Sequence, residues 1–226
     1  MSSPLTYQEN FRGFIYMAFE IILLPVLLQA LNQLIDGFFS EPELNFLYFL
    51  INFLAVICIF HRFLQKSGKK LLQHPIYFLQ AVILGLAAYF ACAFVFDFLI
   101  PRFRPGFVNL SDQAVASLAR EGRFLMAVGT VILVPPVEEC LYRGLIFRNL
   151  YDKNVLAAYI VSMLAFTAIH LIGFLGRLSW IDFLICVIQY LPAGLCLAWA
   201  YKKADTIYAP IVIHALVNFW GIYSMR

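Results

Sequence analysis

The chain reads as an all-α protein, a polytopic bundle of transmembrane helices, and three observations predict this. Hydrophobic residues make up 63% of the 226 residues and charged ones 13%, against roughly 45–50% and about 25% in an ordinary soluble domain. The apolar residues come in runs close to the roughly 20 that a helix needs to cross about 30 Å of hydrocarbon. Most of the charged residues fall between these runs.

Seven candidate spans follow in order: Phe14 to Ile35, Leu44 to Phe60, Ile76 to Ile100, Phe124 to Val137, Val155 to Ile172, Ile181 to Tyr201 and Ile207 to Tyr223. The first is too long for the core of a signal peptide. It follows a polar stretch without a basic cluster and is followed by Asp36, Glu41 and Glu43 instead of a small-residue cleavage pattern, so it is expected to be retained. Between the third and fourth spans, Ser111-Asp112-Gln113 is placed to cap a short interfacial helix bearing Ala114, Val115, Leu118 and Ala119 at helical spacing. With short loops throughout, residues 1–226 form one membrane-embedded domain, and its chemistry has to lie among the helices.

A net charge of +3 is too small to suggest a nucleic-acid partner, and none is expected; the surrounding partner is membrane lipid. All six lysines, Lys66, Lys69, Lys70, Lys153, Lys202 and Lys203, fall in alternate loops. The positive-inside rule puts these loops and the N-terminus in the cytoplasm, although Arg102, Arg104, Arg120 and Arg123 on the other side run against it. The compact length, without long loops or a sorting signal, points to a prokaryotic inner membrane. Five cysteines are scattered singly with no C-x-x-C spacing, which suggests neither a disulfide framework nor a thiolate zinc site.

Prolines interrupt the spans at Pro25, Pro135, Pro136, Pro192 and Pro210. Each frees a backbone carbonyl that must find another partner where there is no water. Irregular backbone is tolerated at membrane depth where it is buried in protein or lines a wet cavity. The interruptions cluster in the second half, and a site is expected there.

Ionisable groups inside the membrane are costly and mark function. Glu138-Glu139 is followed by Arg143, and Glu139 and Arg143 stand four apart in the favourable acid-first order for an ion pair. Glu138 lies about 100° around the helix and is the candidate general base. A single structural network of both acids with Arg143 is the competing reading. Phe166 is followed four residues later by His170, which is either a catalytic imidazole or a hydrogen-bonded packing residue. His214 and Asn218 share one helix face, where two donors aimed at one point would make an oxyanion hole; two polar residues gluing helices together is the alternative. Glu20, Asp97, Asp182 and Gln189 have no motif around them; Asp97 and Asp182, near span ends, read as interfacial, and Glu20, in the first span, could contact the polar centre.

These three stretches, in this order, resemble the motifs EExxxR, FxxxH and HxxxN/D of the CPBP family of intramembrane proteases, which includes the CAAX prenyl endopeptidases and the bacterial Abi proteins. The resemblance spans residues 137–218. It implies an intramembrane endopeptidase in which Glu138 and His170 activate water and His214 and Asn218 stabilise the oxyanion. Glu139 and Arg143 would support them. The substrate it implies is a membrane-associated peptide or protein, prenylated or not. No cofactor is favoured, since the H-E-x-x-H pair of zinc hydrolases is missing; zinc or another divalent metal, if used, would take Glu138, His170 and His214. A proton-coupled carrier and a binding protein, as in bacteriocin self-immunity, are the readings from other classes.

One count does not close. At about 1.5 Å per residue, Glu138 and His214 come out at similar depth, whereas His170 lands nearer the far side. A helix break at Pro135-Pro136, a re-entrant path over 151–154, or one span miscounted would reconcile them.

Overall fold

The computed structural model describes residues 5–224, and among these every regular element is helical. Nine helices follow one another: α1 Tyr7–Leu34, α2 Glu41–Ile59, α3 His61–Gln73, α4 Pro75–Phe103, α5 Leu110–Glu121, α6 Arg123–Tyr151, α7 Val155–Leu171, α8 Trp180–Ala204 and α9 Tyr208–Ser224. Six of them, α1, α2, α4, α6, α7 with its 3₁₀ extension to Phe174, and α8, are long and apolar enough to cross a membrane. The seventh expected run is α9, a helix of 17 residues, at the short end of what spans a bilayer. The chain is an integral, multi-pass membrane protein.

Local chemistry sets the helix ends. Thr6 and Glu9 form a reciprocal capping box at the start of α1, and Ser40 and Glu43 another at α2. Asn154 caps α7 and Ser179 caps α8. The short helix between the third and fourth spans exists, but its cap is Asn109, whose side chain accepts from the amides of Ser111 and Asp112. The expected cap at Ser111 therefore falls inside the first turn. The lysines expected in a loop after the second span lie instead on α3. This amphipathic helix buries Phe63, Leu64 and Ser67 and carries Arg62, Lys66 and Lys69 on its exposed side. The carboxylate of Glu9 accepts the Phe63 amide at 2.7 Å and so satisfies one of the orphan donors of that helix.

The largest correction concerns α6. Read from apolar content alone, the fourth span ended at Val137. In the structure it continues through the Glu138–Arg143 motif to Tyr151, and the chain does not break at Pro135-Pro136. Polar residues in the centre of a bundle look like the end of a hydrophobic run. The longer helix also settles the depth count. Glu138 lies 13 residues before the end of α6 at Tyr151 and His170 lies 15 after the start of α7 at Val155, so on a hairpin both stand about 20 Å from the turn.

Helix α6 is the hub, packing against α1, α2, α7, α8 and α9. Within its most apolar window 44% of residues are buried against protein, compared with 6–28% in the other spans. Those other spans turn large side chains such as Ile22, Val26, Ile83 and Leu164 outward, as a lipid solvent allows. Helix α8 closes the far side against α4, α7 and α9. Arg104 and Asp182 tie the end of α4 to the start of α8 in a two-pronged ion pair at 2.8 and 3.1 Å. At the opposite end Asn149 donates to Asn10, Thr206 to the Ser67 carbonyl, and Lys70 pairs with Asp205. That end gathers the start of α1, α3, the α6–α7 turn and the α8–α9 turn, and with them all six lysines.

Where α7 crosses α8, Gly194 allows the approach: a Cβ there would lie 2.9 Å from Met163 Cγ and 3.1 Å from its Cα. Backbone cannot yield as a side-chain tip can. Gly194→Ala is expected to cost about 1–3 kcal/mol through overpacking. Thermal unfolding in detergent should show it as a lower Tm, by about 2–4 °C per kcal/mol.

Candidate active site

Two helices that bear the site contain the same device. In α1 the backbone passes through a π-helical turn, Phe19–Leu23, before Pro25; in α6 it does so at Gly129–Leu133 before Pro135. In the first, the Leu24 amide bonds the Phe19 carbonyl, and in the second the Val134 amide bonds that of Gly129. The next donor in each register would be a proline nitrogen, which carries no hydrogen. The carbonyls of Glu20 and Thr130 are thus left without helical partners. Side chains from neighbouring helices supply them: Asn218 Nδ2 donates to Thr130 O at 2.8 Å, and Tyr48 Oη to Glu20 O at 3.4 Å. A third π-helical stretch, Cys140–Phe147, carries Arg143, and within it the Tyr142 carbonyl accepts from Ser162 Oγ at 2.9 Å. Pro210, by contrast, sits in the first turn of α9 and interrupts nothing.

Arg143 and Glu139 are both fully buried. Arg143 Nη1 donates to Glu139 Oε1 at 3.0 Å, Nη2 to the Gly194 carbonyl at 3.2 Å, and the guanidinium carbon stands 4.3 Å above the Phe166 ring. The same Oε1 also faces His214 Nδ1 at 2.8 Å. Glu139 therefore does more than neutralise Arg143, because it fixes the imidazole. A carboxylate only accepts, so Nδ1 carries a hydrogen and the opposite edge, Nε2, is turned toward Glu138, 4.0 Å from its Oε2. In a singly protonated ring Nε2 is an acceptor; it becomes a donor when the ring holds two protons.

Glu138 lines a small cavity of about 50 Å³ together with Glu20, Tyr48, Phe49, Asn52, Val134, Val137, Tyr142 and Ile169. A water needs roughly 10–15 Å³ of such space and two to four polar partners. Glu20, Tyr48, Asn52 and Glu138 bring polar groups to the lining. Glu20 is itself buried, and its presence there matches the contact with the polar centre expected from sequence. The signals for Tyr48 and Asn52, two hydrogen-bonding residues four apart in an apolar span, were present but unread.

The four residues singled out make different contacts. Glu138 and His214 adjoin, with Glu139 behind the imidazole. Asn218 spends one amide hydrogen on Thr130 O and keeps one. His170 hydrogen-bonds through Nδ1 with the Phe166 carbonyl at 2.9 Å, and its ring lies against those of Phe166 and Tyr190, with centroids at 4.7 and 4.8 Å. Phe166 also touches the His214 ring, at 5.8 Å. No hydrogen bond or ion pair joins His170 to Glu138 among the described residues. Nor do any three His, Cys, Asp or Glu side chains among them group to hold a metal ion, so the set Glu138, His170 and His214 is not gathered as ligands.

Comparison with known proteins bears on these residues. The stretch 120–220, which holds all of α6, α7 and α8 and most of α9, matches a family model described as type II CAAX prenyl endopeptidase Rce1-like. Residues 120–220 are thus similar to that family. Among curated proteins, "UPF0177 protein YxdF" of Lactococcus lactis subsp. lactis (strain IL1403) is 31% identical over 90 residues, 40% of this chain and 44% of that protein. "Putative membrane peptidase YdiL" of Bacillus subtilis (strain 168) is 25% identical over 185 residues, 76% of this chain and 68% of that protein. The alignments thus span less than half of the first relative and about two thirds of the second. No solved structure matches the chain. The Rce1-like segment carries Glu138, Glu139, Arg143, His170, His214 and Asn218, whereas Glu20, Tyr48 and Asn52 reach the cavity from helices outside it.

Two stability measurements probe this arrangement. Glu139→Ala leaves a buried guanidinium without its counter-charge and is expected to cost about 3–5 kcal/mol, read as a lower Tm than wild type. Pro135→Ala restores a backbone donor near Thr130 O, so the cost of Asn218→Leu should fall by about 1 kcal/mol in that background. A double-mutant cycle on unfolding free energies checks it, and additive effects would show that Asn218 does not serve that carbonyl.

Proposed function

We propose that this chain is an intramembrane endopeptidase that hydrolyses a peptide bond of a membrane-associated peptide or protein, lipidated or not. The observation that carries the reading is Glu138, a carboxylate on the wall of a small polar cavity in the bundle, beside an imidazole edge that Glu139 orients toward it. The Rce1-like segment and the relative named as a membrane peptidase support the same class of reaction.

The steps follow from the atoms. Glu138 accepts one proton of a water as its oxygen bonds the scissile carbonyl carbon, and the carbonyl electron pair moves to oxygen. His214 donates from Nε2 to that oxyanion when both ring nitrogens carry hydrogens, and the second amide hydrogen of Asn218 adds a donor. His170 has committed Nδ1 to the Phe166 carbonyl, and its Nε2, an acceptor in that tautomer, remains to steady Glu138 once that carboxyl carries the water's proton and substrate tightens the site. When the C–N bond breaks, the proton held by Glu138 passes to the leaving amine.

In this reading the carboxylate activates the water without a metal ion. The lysine-rich end of the bundle supports a cytoplasmic placement of that end in a prokaryotic inner membrane. Purified protein in detergent or liposomes is expected to cleave a responsive internally quenched peptide. Glu138→Gln should lower kcat by about 10²–10⁴-fold, with the fold intact by thermal unfolding; cleavage that survives unchanged defeats the reading. Treatment with 1,10-phenanthroline or EDTA should leave kcat/KM within about twofold, since each factor of ten would require about 1.4 kcal/mol of lost transition-state stabilisation. Inactivation reversed by added zinc would overturn the metal-free part.

A further inference from the structure

Glu20 has no part in the mechanism so far, yet it is a carboxyl group buried to 5% exposure in the middle of a membrane span. Such a placement is costly enough to require a reason. The fold supplies two features that bring it inward. The π-helical turn Phe19–Leu23 shifts the register of α1 at this residue. Tyr48 holds the backbone of Glu20 against α2 by bonding its carbonyl. The side chain then faces the same cavity as Glu138, between Tyr48 and Asn52 of α2 and Tyr142 of α6. Asn52 Oδ1 already accepts from Tyr16 Oη, and Arg143 is engaged by Glu139 and Gly194. Among the described residues no cation pairs with Glu20, so an ion-pair strut is not its role.

From this cavity geometry we infer that Glu20 is a further catalytic residue, whose carboxyl oxygen holds the attacking water by its second hydrogen while Glu138 takes the first. A water gripped at both hydrogens presents its lone pair to the substrate carbonyl, and fixed orientation of this kind lowers the barrier by removing freedom beforehand. The second hydrogen is held, not transferred: it stays on the oxygen that becomes part of the new carboxyl group. A carboxyl carbonyl oxygen accepts that hydrogen bond in either protonation state. The inference rests on the hydrolytic reading above and adds a residue from α1, outside the Rce1-like segment.

The test uses the full-length protein with Glu20→Gln, Glu20→Met and Glu138→Gln in parallel, reading kcat, KM and Tm. Glu20→Gln keeps a carbonyl acceptor and should retain kcat within about tenfold. Glu20→Met keeps the size but cannot accept, and should lose about 10²-fold in kcat with KM within threefold. Its Tm should equal or exceed that of wild type, because an apolar side chain replaces a buried polar one with no partner. The role of Glu20 is overturned if Glu20→Met cleaves within threefold of wild type, if Glu20→Gln is as slow as Glu20→Met, or if Glu20→Met lowers Tm by more than about 3 °C, which would mark a structural strut. Glu138→Gln separates the two claims. If it is inactive while Glu20→Met cleaves normally, only Glu20 is lost; if it cleaves like wild type, the hydrolytic reading falls and this inference with it.

Discussion

A guanidinium fully enclosed in a membrane bundle is the constraint from which the rest of this structure follows. Arg143 cannot be deprotonated to escape the cost of burial, so Glu139 must stand one turn away, the Gly194 carbonyl must point inward, and the Phe166 ring must lie beneath it. Those three partners come from α6, α8 and α7, so one side chain brings three helices into register. Once Glu139 is held, its remaining capacity fixes His214 on α9. Glu138, next in sequence and turned away, is left free for the cavity.

The second organising rule is that hydrocarbon offers no hydrogen bonds. Two prolines free the carbonyls of Glu20 and Thr130, and two side chains from other helices take them up. Each repair ties an irregular backbone segment to a neighbour beside the polar centre. Asn218 illustrates how one residue meets two demands, since one amide hydrogen serves the backbone and the other remains available.

Much of this was legible in the sequence because the membrane simplifies the problem. Apolar runs of spanning length gave the helices, and the spacing of Glu139 and Arg143 gave their ion pair, because an i, i+4 pair is a property of any helix. The end of α6 was misread for the opposite reason: Glu138, Glu139 and Arg143 lower the local hydropathy in the part of the helix that is most deeply buried in protein. Helix α3 was missed because Arg62, Lys66, Lys69 and Lys70 resemble a loop until Phe63, Leu64 and Ser67 are placed on one face. The link between His214 and Glu139 joins residues 75 positions apart, and the placing of the Phe166 ring against both His170 and His214 depends on side-chain packing. No spacing rule reports either.

The Asn218–Thr130 bond has a mechanical corollary. Pulling α9 off α6 would strand a carbonyl in lipid, a loss of about 1–3 kcal/mol or more, on top of breaking the His214–Glu139 contact. Beside the cavity, α2 meets α6 differently, with the Phe49 ring seated on Gly129, and lipid tails can replace an apolar contact of that kind at little loss. The bundle is stitched on one flank and zipped on the other, and Phe49 of the zipped contact lines the same cavity as Glu138.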